Sequence, residues 1–294
     1  MRDIAFNRPP HPHHDAEALL CGPKRLPTDV AEGLLLRLDA GLSLDTNGVM
    51  NELIACFTTP GTIDPYAVVH MISANSLDLG QLLGAAVGVK EGYRLHEHTQ
   101  AVMSGFEADY APYFPDPHER KLIRTTLLFQ DMAKSLLHST DGSSAQQAAC
   151  NTRMAINLLK TVSPNVLDED EKIAIPLLVG HDIFGKAIRG ATYTNPTRNC
   201  ITMEEAADQL ATLKANCPEA VQKKLPELMP AIYLADITAY SSFRSYREPG
   251  ATATTPCIGT LDALFERDQH DAIKFAPVVH QQALERLVYL VSAA

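Results

Sequence analysis

The sequence predicts an all-α protein, and three observations carry that expectation. Apolar residues recur at helical spacing through most of the 294-residue chain, and no run alternates at period two for long enough to form more than a short hairpin. Pro also stands at the first turn of several helical stretches, where its fixed φ and missing N–H are tolerated. There is no internal repeat and no linker that divides the chain. The expectation is one compact helical domain over 29–294, preceded by a flexible arm over 1–28.

The arm is rich in Pro and His, including H-P-H-H at His11 to His14, and reads as a solvated tract rather than a metal site. Thr28 is a fair N-cap for a helix that Gly41 closes. Helices are then expected over Val49–Phe57, over Ile63–Asn75 with Pro65 in its first turn, over Leu77–Val89 and over Glu91–Tyr110. The loop A-P-Y-F-P-D-P leads into a helix over 118–138, with Asp116 as cap and Pro117 at the first turn. Helices near 145–161 and 169–182 follow. The second opens on D-E-D-E at Asp168 to Glu171, where the helix dipole favours acid. G-K-A-I-R-G-A-T-Y-T-N-P-T-R, from Gly185, reads as a basic glycine-containing loop of the kind that approaches a ligand. Thr202–Ala215, Pro218–Leu225 and Pro230–Tyr246 are read as helices, as is a terminal pair over Gly259–Arg267 and His270–Val291.

Composition narrows the function classes. Hydrophobic residues at 46% and charged residues at 20% are ordinary for a globular protein. The net charge of −10 repels nucleic acid, so broad nucleic-acid binding is not expected and an anionic substrate must be met by a local cluster of Lys and Arg. Six cysteines, Cys21, Cys56, Cys150, Cys200, Cys217 and Cys257, are scattered singly, which suits reduced thiols better than disulfides or a zinc–cysteine site. No apolar leader opens the chain, and no window approaches the roughly 18 apolar residues of a membrane span. A cytoplasmic, membrane-independent protein is expected, with export by a route lacking a cleaved signal left open.

The chain's most informative stretch is Lys121 to His138. Leu122, Ile123, Thr126, Leu127, Phe129, Met132, Ala133, Leu136 and Leu137 form a band wide enough for a buried helix, yet Gln130 and Asp131 interrupt it. A carboxylate in such surroundings is costly unless it is paired, hydrogen-bonded or bound to a cation. Lys134, three residues on, is the simplest partner. Other polar signals stand on separate apolar helices: His98 in E-H-T, with Arg94 on the same face, His181 and Asp182 in G-H-D, and Asp236 in L-A-D-I. Imidazole and carboxylate converging from several helices is how a helical protein builds a divalent-metal site.

With those residues in this order, the chain resembles the HD-domain metal-dependent phosphohydrolases over about Tyr93 to Arg247. E-H-T-Q-A-V-M resembles the family's first element, L-L-F-Q-D-M-A-K its His-Asp pair with the following Lys, L-V-G-H-D-I-F-G the intermediate element and L-A-D-I-T-A-Y-S the distant Asp. The resemblance implies a Mg, Mn, Fe or Zn ion held by His98, Asp131 and Asp236, with Gln130 as a weak fourth ligand. His181, Asp182 and Lys134 would be catalytic groups, and Arg94, Lys186, Arg189, Tyr240 and Arg244 would meet a small phosphorylated molecule such as a nucleotide. The chain departs from the pattern at Gln130, where the family has His, and at Gln146 and Gln147, about where dinuclear members often carry another His. A neutral amide is a poorer ligand than imidazole, so one loosely held metal is expected. The departure leaves two readings: an active phosphohydrolase, or a catalytically silent module that binds a nucleotide or protein partner in the same cleft. Whether Gln130 is natural or an engineered replacement is open at this point.

Overall fold

The computed structural model describes residues 24–45, 48–56, 65–87, 94–140, 142, 144–180, 182–192, 200–247, 265–267, 273–275 and 278–293. Helix dominates them. In chain order the α-helices are α1 (Thr28–Asp39), α2 (Val49–Cys56), α3 (Pro65–Asn75), α4 (Leu77–Gly84), α5 (Leu95–Gly105), α6 (Pro117–Phe129), α7 (Lys134–Ser139), α8 (Ser144–Leu159), α9 (Glu169–Gly180), α10 (Ile183–Thr192), α11 (Met203–Asn216), α12 (Glu219–Gln222), α13 (Leu225–Arg247) and α14 (Val278–Ala293). A π-helical turn, Phe106–Tyr110, and a 3-10 turn, Ala111–Tyr113, join α5 to α6. Among the described residues the sheet is one antiparallel pair, β1 (Phe265–Arg267) with β2 (Ile273–Phe275), in which Glu266 faces Lys274. The expected arm over 1–28 lies outside the described residues except for its last few, of which Leu26 joins the core.

α6 is the central strut. Asp116 caps it, accepting from the His118 N–H at 2.9 Å, and Pro117 occupies the first turn. From Lys121 to Phe129 every side chain is buried. Each fully buried Leu, Ile or Phe there contributes about 1.5–3 kcal/mol of transfer free energy. The two buried threonines are satisfied locally, Thr125 and Thr126 donating to the Lys121 and Leu122 carbonyls at 2.8 Å each. α13 runs along α5 and also touches α6, while α8 and α9 pack together beside α6. Close approach of α8 and α9 needs Gly180, because a Cβ there would strike the Thr152 hydroxyl.

Several expected boundaries are corrected. The helix read over 118–138 is two helices, with turns at 130–133. Gly185 to Thr192, read as loop, is helical within α10 because Ile183, Phe184, Ala187 and Ile188 give it a buried face. Its two glycines reflect crowding: a Cβ at Gly185 would meet the Asp182 carboxylate, and one at Gly190 the Ile201 carbonyl. α13 begins at Leu225 and carries Pro230 inside it. The helices read over Gly259–Arg267 and His270–Val291 give way to β1 and β2, so the last helix starts at Val278. Thr28 is the first helical residue rather than the cap, whereas Gly41 does close α1, at a φ of 69° that favours glycine.

Candidate functional site

The site begins with the break between α6 and α7. After Phe129 the α-helical bonding pattern lapses into tighter turns, Met132 N–H reaching the Phe129 carbonyl at 3.4 Å and Lys134 N–H the Asp131 carbonyl at 2.9 Å. The side chain of Asn151, buried on α8, bonds to both sides of the break. Its Oδ1 accepts from the Ala133 N–H at 2.7 Å and its Nδ2 donates to the Gln130 carbonyl. An amide that offers one donor and one acceptor thus satisfies backbone groups that a continuous helix would have paired itself. The consequence is that Asp131 occupies a turn rather than a helical face.

Around Asp131 the groups predicted from sequence come together. His98 on α5 places Nε2 2.5 Å from Asp131 Oδ2 and 3.3 Å from Oδ1 of Asp236 on α13. Lys134, the first residue of α7, sets Nζ 2.6 Å from the same Asp131 Oδ2. Gln147 on α8 donates its amide to Asp131 Oδ1 at 2.9 Å. One donor atom from each of His98, Asp131 and Asp236 falls within 4.8 Å of the other two. The His98 side chain is 2% exposed, Asp131 9% and Asp236 22%, so the cluster is closed on the His98 side and reachable past Asp236.

Electrostatics in this cluster are set by charge partners more than by burial. Burial and the Lys134 ammonium both disfavour a charged His98, but the Asp131 and Asp236 carboxylates outweigh them and lift its pKa above the usual histidine value. For Asp131, burial pushes the pKa up. Lys134 and His98 win, and hold the carboxyl well below the ordinary aspartate range.

Of the remaining sequence candidates, some are described and some are not. Gln130 is half-buried, and its side-chain Oε1 is a buried oxygen with no hydrogen-bond partner among the described residues. Arg94 precedes α5, its backbone N–H donating to Glu97 Oε2 at 2.7 Å, one turn before His98. Asp182 starts α10, accepting from the Gly185 N–H at 3.1 Å, and stands apart from the three grouped donors. Lys186 is half-buried on α10. His181 and the side chains of Arg189, Tyr240 and Arg244 lie outside the described residues. Sequence reasoning missed Asn151 and gave Gln147 no contact. The signal for both was present: two amides four residues apart share a face of α8 with the buried Cys150, Met154, Ala155 and Leu158 nearby.

The donor set suits a divalent cation of the Mg, Mn, Fe or Zn type, since one imidazole nitrogen and two carboxylate oxygens are the mixed N/O ligands such ions take. Fold and site together define a mostly helical protein with a buried imidazole–dicarboxylate cluster. No protein-family model matches the chain, and no curated protein or solved structure resembles it significantly. Among the described residues no helix is long and apolar enough to cross a membrane.

Proposed function

We propose that this cluster is a single divalent-cation site and that the chain is a metal-dependent phosphohydrolase of HD type. Its substrate on this reading is a phosphate ester or phosphodiester of a small molecule such as a nucleotide. The observation that carries the reading is the meeting of His98, Asp131 and Asp236, from three separate parts of the helical core, at one buried point. A divalent cation bound there would neutralise phosphate charge and acidify water. The chain's own residues do the rest. His98, Asp131 and Asp236 hold the ion, with Gln130 Oε1 as a weak further ligand. Gln147 fixes the far oxygen of Asp131 and so the direction the carboxylate faces. Lys134 is a cation in contact with the cluster that can meet a phosphate oxygen, and Arg94, Lys186, Arg189, Tyr240 and Arg244 are the candidates for the rest of the substrate. His181 and Asp182 keep the acid and base roles that the sequence resemblance implies.

One observation favours the catalytically silent reading: Asp131 already takes contacts from His98, Lys134 and Gln147, so that carboxylate is satisfied without any ion. Metal analysis and a nucleotide panel, run on the unaltered chain and on Gln130→His, separate the two. The phosphohydrolase reading predicts higher metal occupancy and higher turnover in Gln130→His, because imidazole is a stronger ligand than an amide. Unchanged metal content and no turnover in that variant would favour the silent binding module.

A further inference from the structure

Among the described residues, nitrogen atoms face both carboxylate oxygens of Asp131. Oδ1 takes the Gln147 amide at 2.9 Å, while Oδ2 takes both His98 Nε2 at 2.5 Å and Lys134 Nζ at 2.6 Å. The His98–Asp131 contact is too close for two ligands of one ion. Donors that each lie about 2.0–2.2 Å from a small cation sit roughly 3 Å apart, so these two must separate before an ion can enter. Lys134 is the further obstacle, because its ammonium rests on Oδ2, the Asp131 oxygen that also meets His98 Nε2. Its side chain is 13% exposed, so that charge is held in a weakly screened place. Asp236 differs. It is the more open carboxylate, and its nearest described partner, His98, is 3.3 Å away.

We propose that Lys134 is a built-in counter-ion which occupies the cation site in the resting chain and must leave Asp131 before a divalent cation can bind. The inference rests on the metal-site reading above and adds a regulatory property to it: the site's affinity is set by competition with an internal ammonium. The geometry supports this over a purely structural role. Lys134 lies at the first position of α7, where the helix dipole gains nothing from a positive charge, and its ammonium meets Asp131 Oδ2 at 2.6 Å.

Mn²⁺ titration of the full chain by calorimetry tests the proposal, with a thermal melt of each variant as a folding control. Removing the ammonium by Lys134→Met or Lys134→Gln should tighten Mn²⁺ binding at least about tenfold, while Lys134→Arg, which keeps the charge, should stay within about threefold of the parent. Binding by Lys134→Met when the parent chain binds none gives the same support. Adding Asp131→Asn should remove binding in every background. The proposal is overturned if the parent binds Mn²⁺ and neither neutral variant binds it more tightly, an outcome that leaves the metal site itself standing. Loss of a cooperative melt in both neutral variants also overturns it, since Lys134 would then be structural. Absence of Mn²⁺ binding in the parent and in all variants removes the metal-site reading and this inference with it.

Discussion

Two sets of buried charges lie on one stretch of chain, and they are built differently. Near the start of α6, Lys121 pairs with Glu171 at 2.7 Å, and Arg124 grips Glu107 through two bonds of 2.5 and 2.7 Å while lying 5.9 Å from the centre of the Phe106 ring. Each cation there is held by a carboxylate. At the break beyond α6, two carboxylates, Asp131 and Asp236, share one imidazole and one ammonium. The first set closes on itself and ties α6 to α9 and to the π-helical turn. The second holds more acceptor capacity than the fold alone requires. That difference distinguishes a structural ion pair from a site able to bind a ligand, although burial is similar in the two.

The comparison predicts opposite outcomes for charge removal in the two places. The largest effect should come from Asp131→Asn, which keeps the shape but removes the charge: Mn²⁺ binding should vanish, read by calorimetry, while the cooperative melt survives. Next is Glu171→Ala, which leaves the Lys121 ammonium buried without its carboxylate. It should cost about 3–5 kcal/mol in denaturant unfolding and leave Mn²⁺ affinity per folded molecule unchanged. Replacing both partners, as Lys121→Met with Glu171→Leu, should restore most of that loss, because a well-packed apolar pair avoids the desolvation penalty.

The smallest effect concerns thiol protection. Cys150 on α8 and Cys217 after α11 are buried, and burial raises both thiol pKa values, that of Cys217 to about 11. Labelling at pH 8 should therefore be slow at both in the parent chain and equally slow in Asp131→Asn. It should accelerate at Cys150 in Glu171→Ala, since α8 packs on the helix that carries Glu171. The sign of the pH effect follows from the raised value. An unfolded thiol ionises near its ordinary 9.0 while folded Cys217 stays protonated, so its contribution to stability is full below that pH and declines as pH rises above it.

Much of the site was legible in the sequence because buried charge is conspicuous there. Asp131 in an apolar band demanded a partner, and Lys134 and His98 both proved to be partners, with Asp236 reaching the same imidazole. What was not legible depends on contacts distant in sequence. Gln130 and Asp131 interrupt the apolar band, but the apolar residues on either side keep helical spacing, so the sequence reads as one helix through Phe129 and Met132. The break is visible only once Asn151, on another helix, is seen bonding to the backbone at Gln130 and Ala133. In the same way Gly185 and Gly190 suggested a loop, whereas their small size serves a close approach to Asp182 and Ile201 within a helix. The strands Phe265–Arg267 and Ile273–Phe275 are three residues each, too short for any period to register.

The most direct measurement is equilibrium dialysis of the purified chain against Mn²⁺, alongside His98→Ala, Asp131→Asn, Asp236→Asn and Lys134→Met. A divalent-cation site predicts saturation at about one ion per chain, loss of binding in each of the three ligand variants, and retention in Lys134→Met. Failure of both the parent and Lys134→Met to retain Mn²⁺, or retention unchanged by Asp131→Asn and Asp236→Asn, would contradict it.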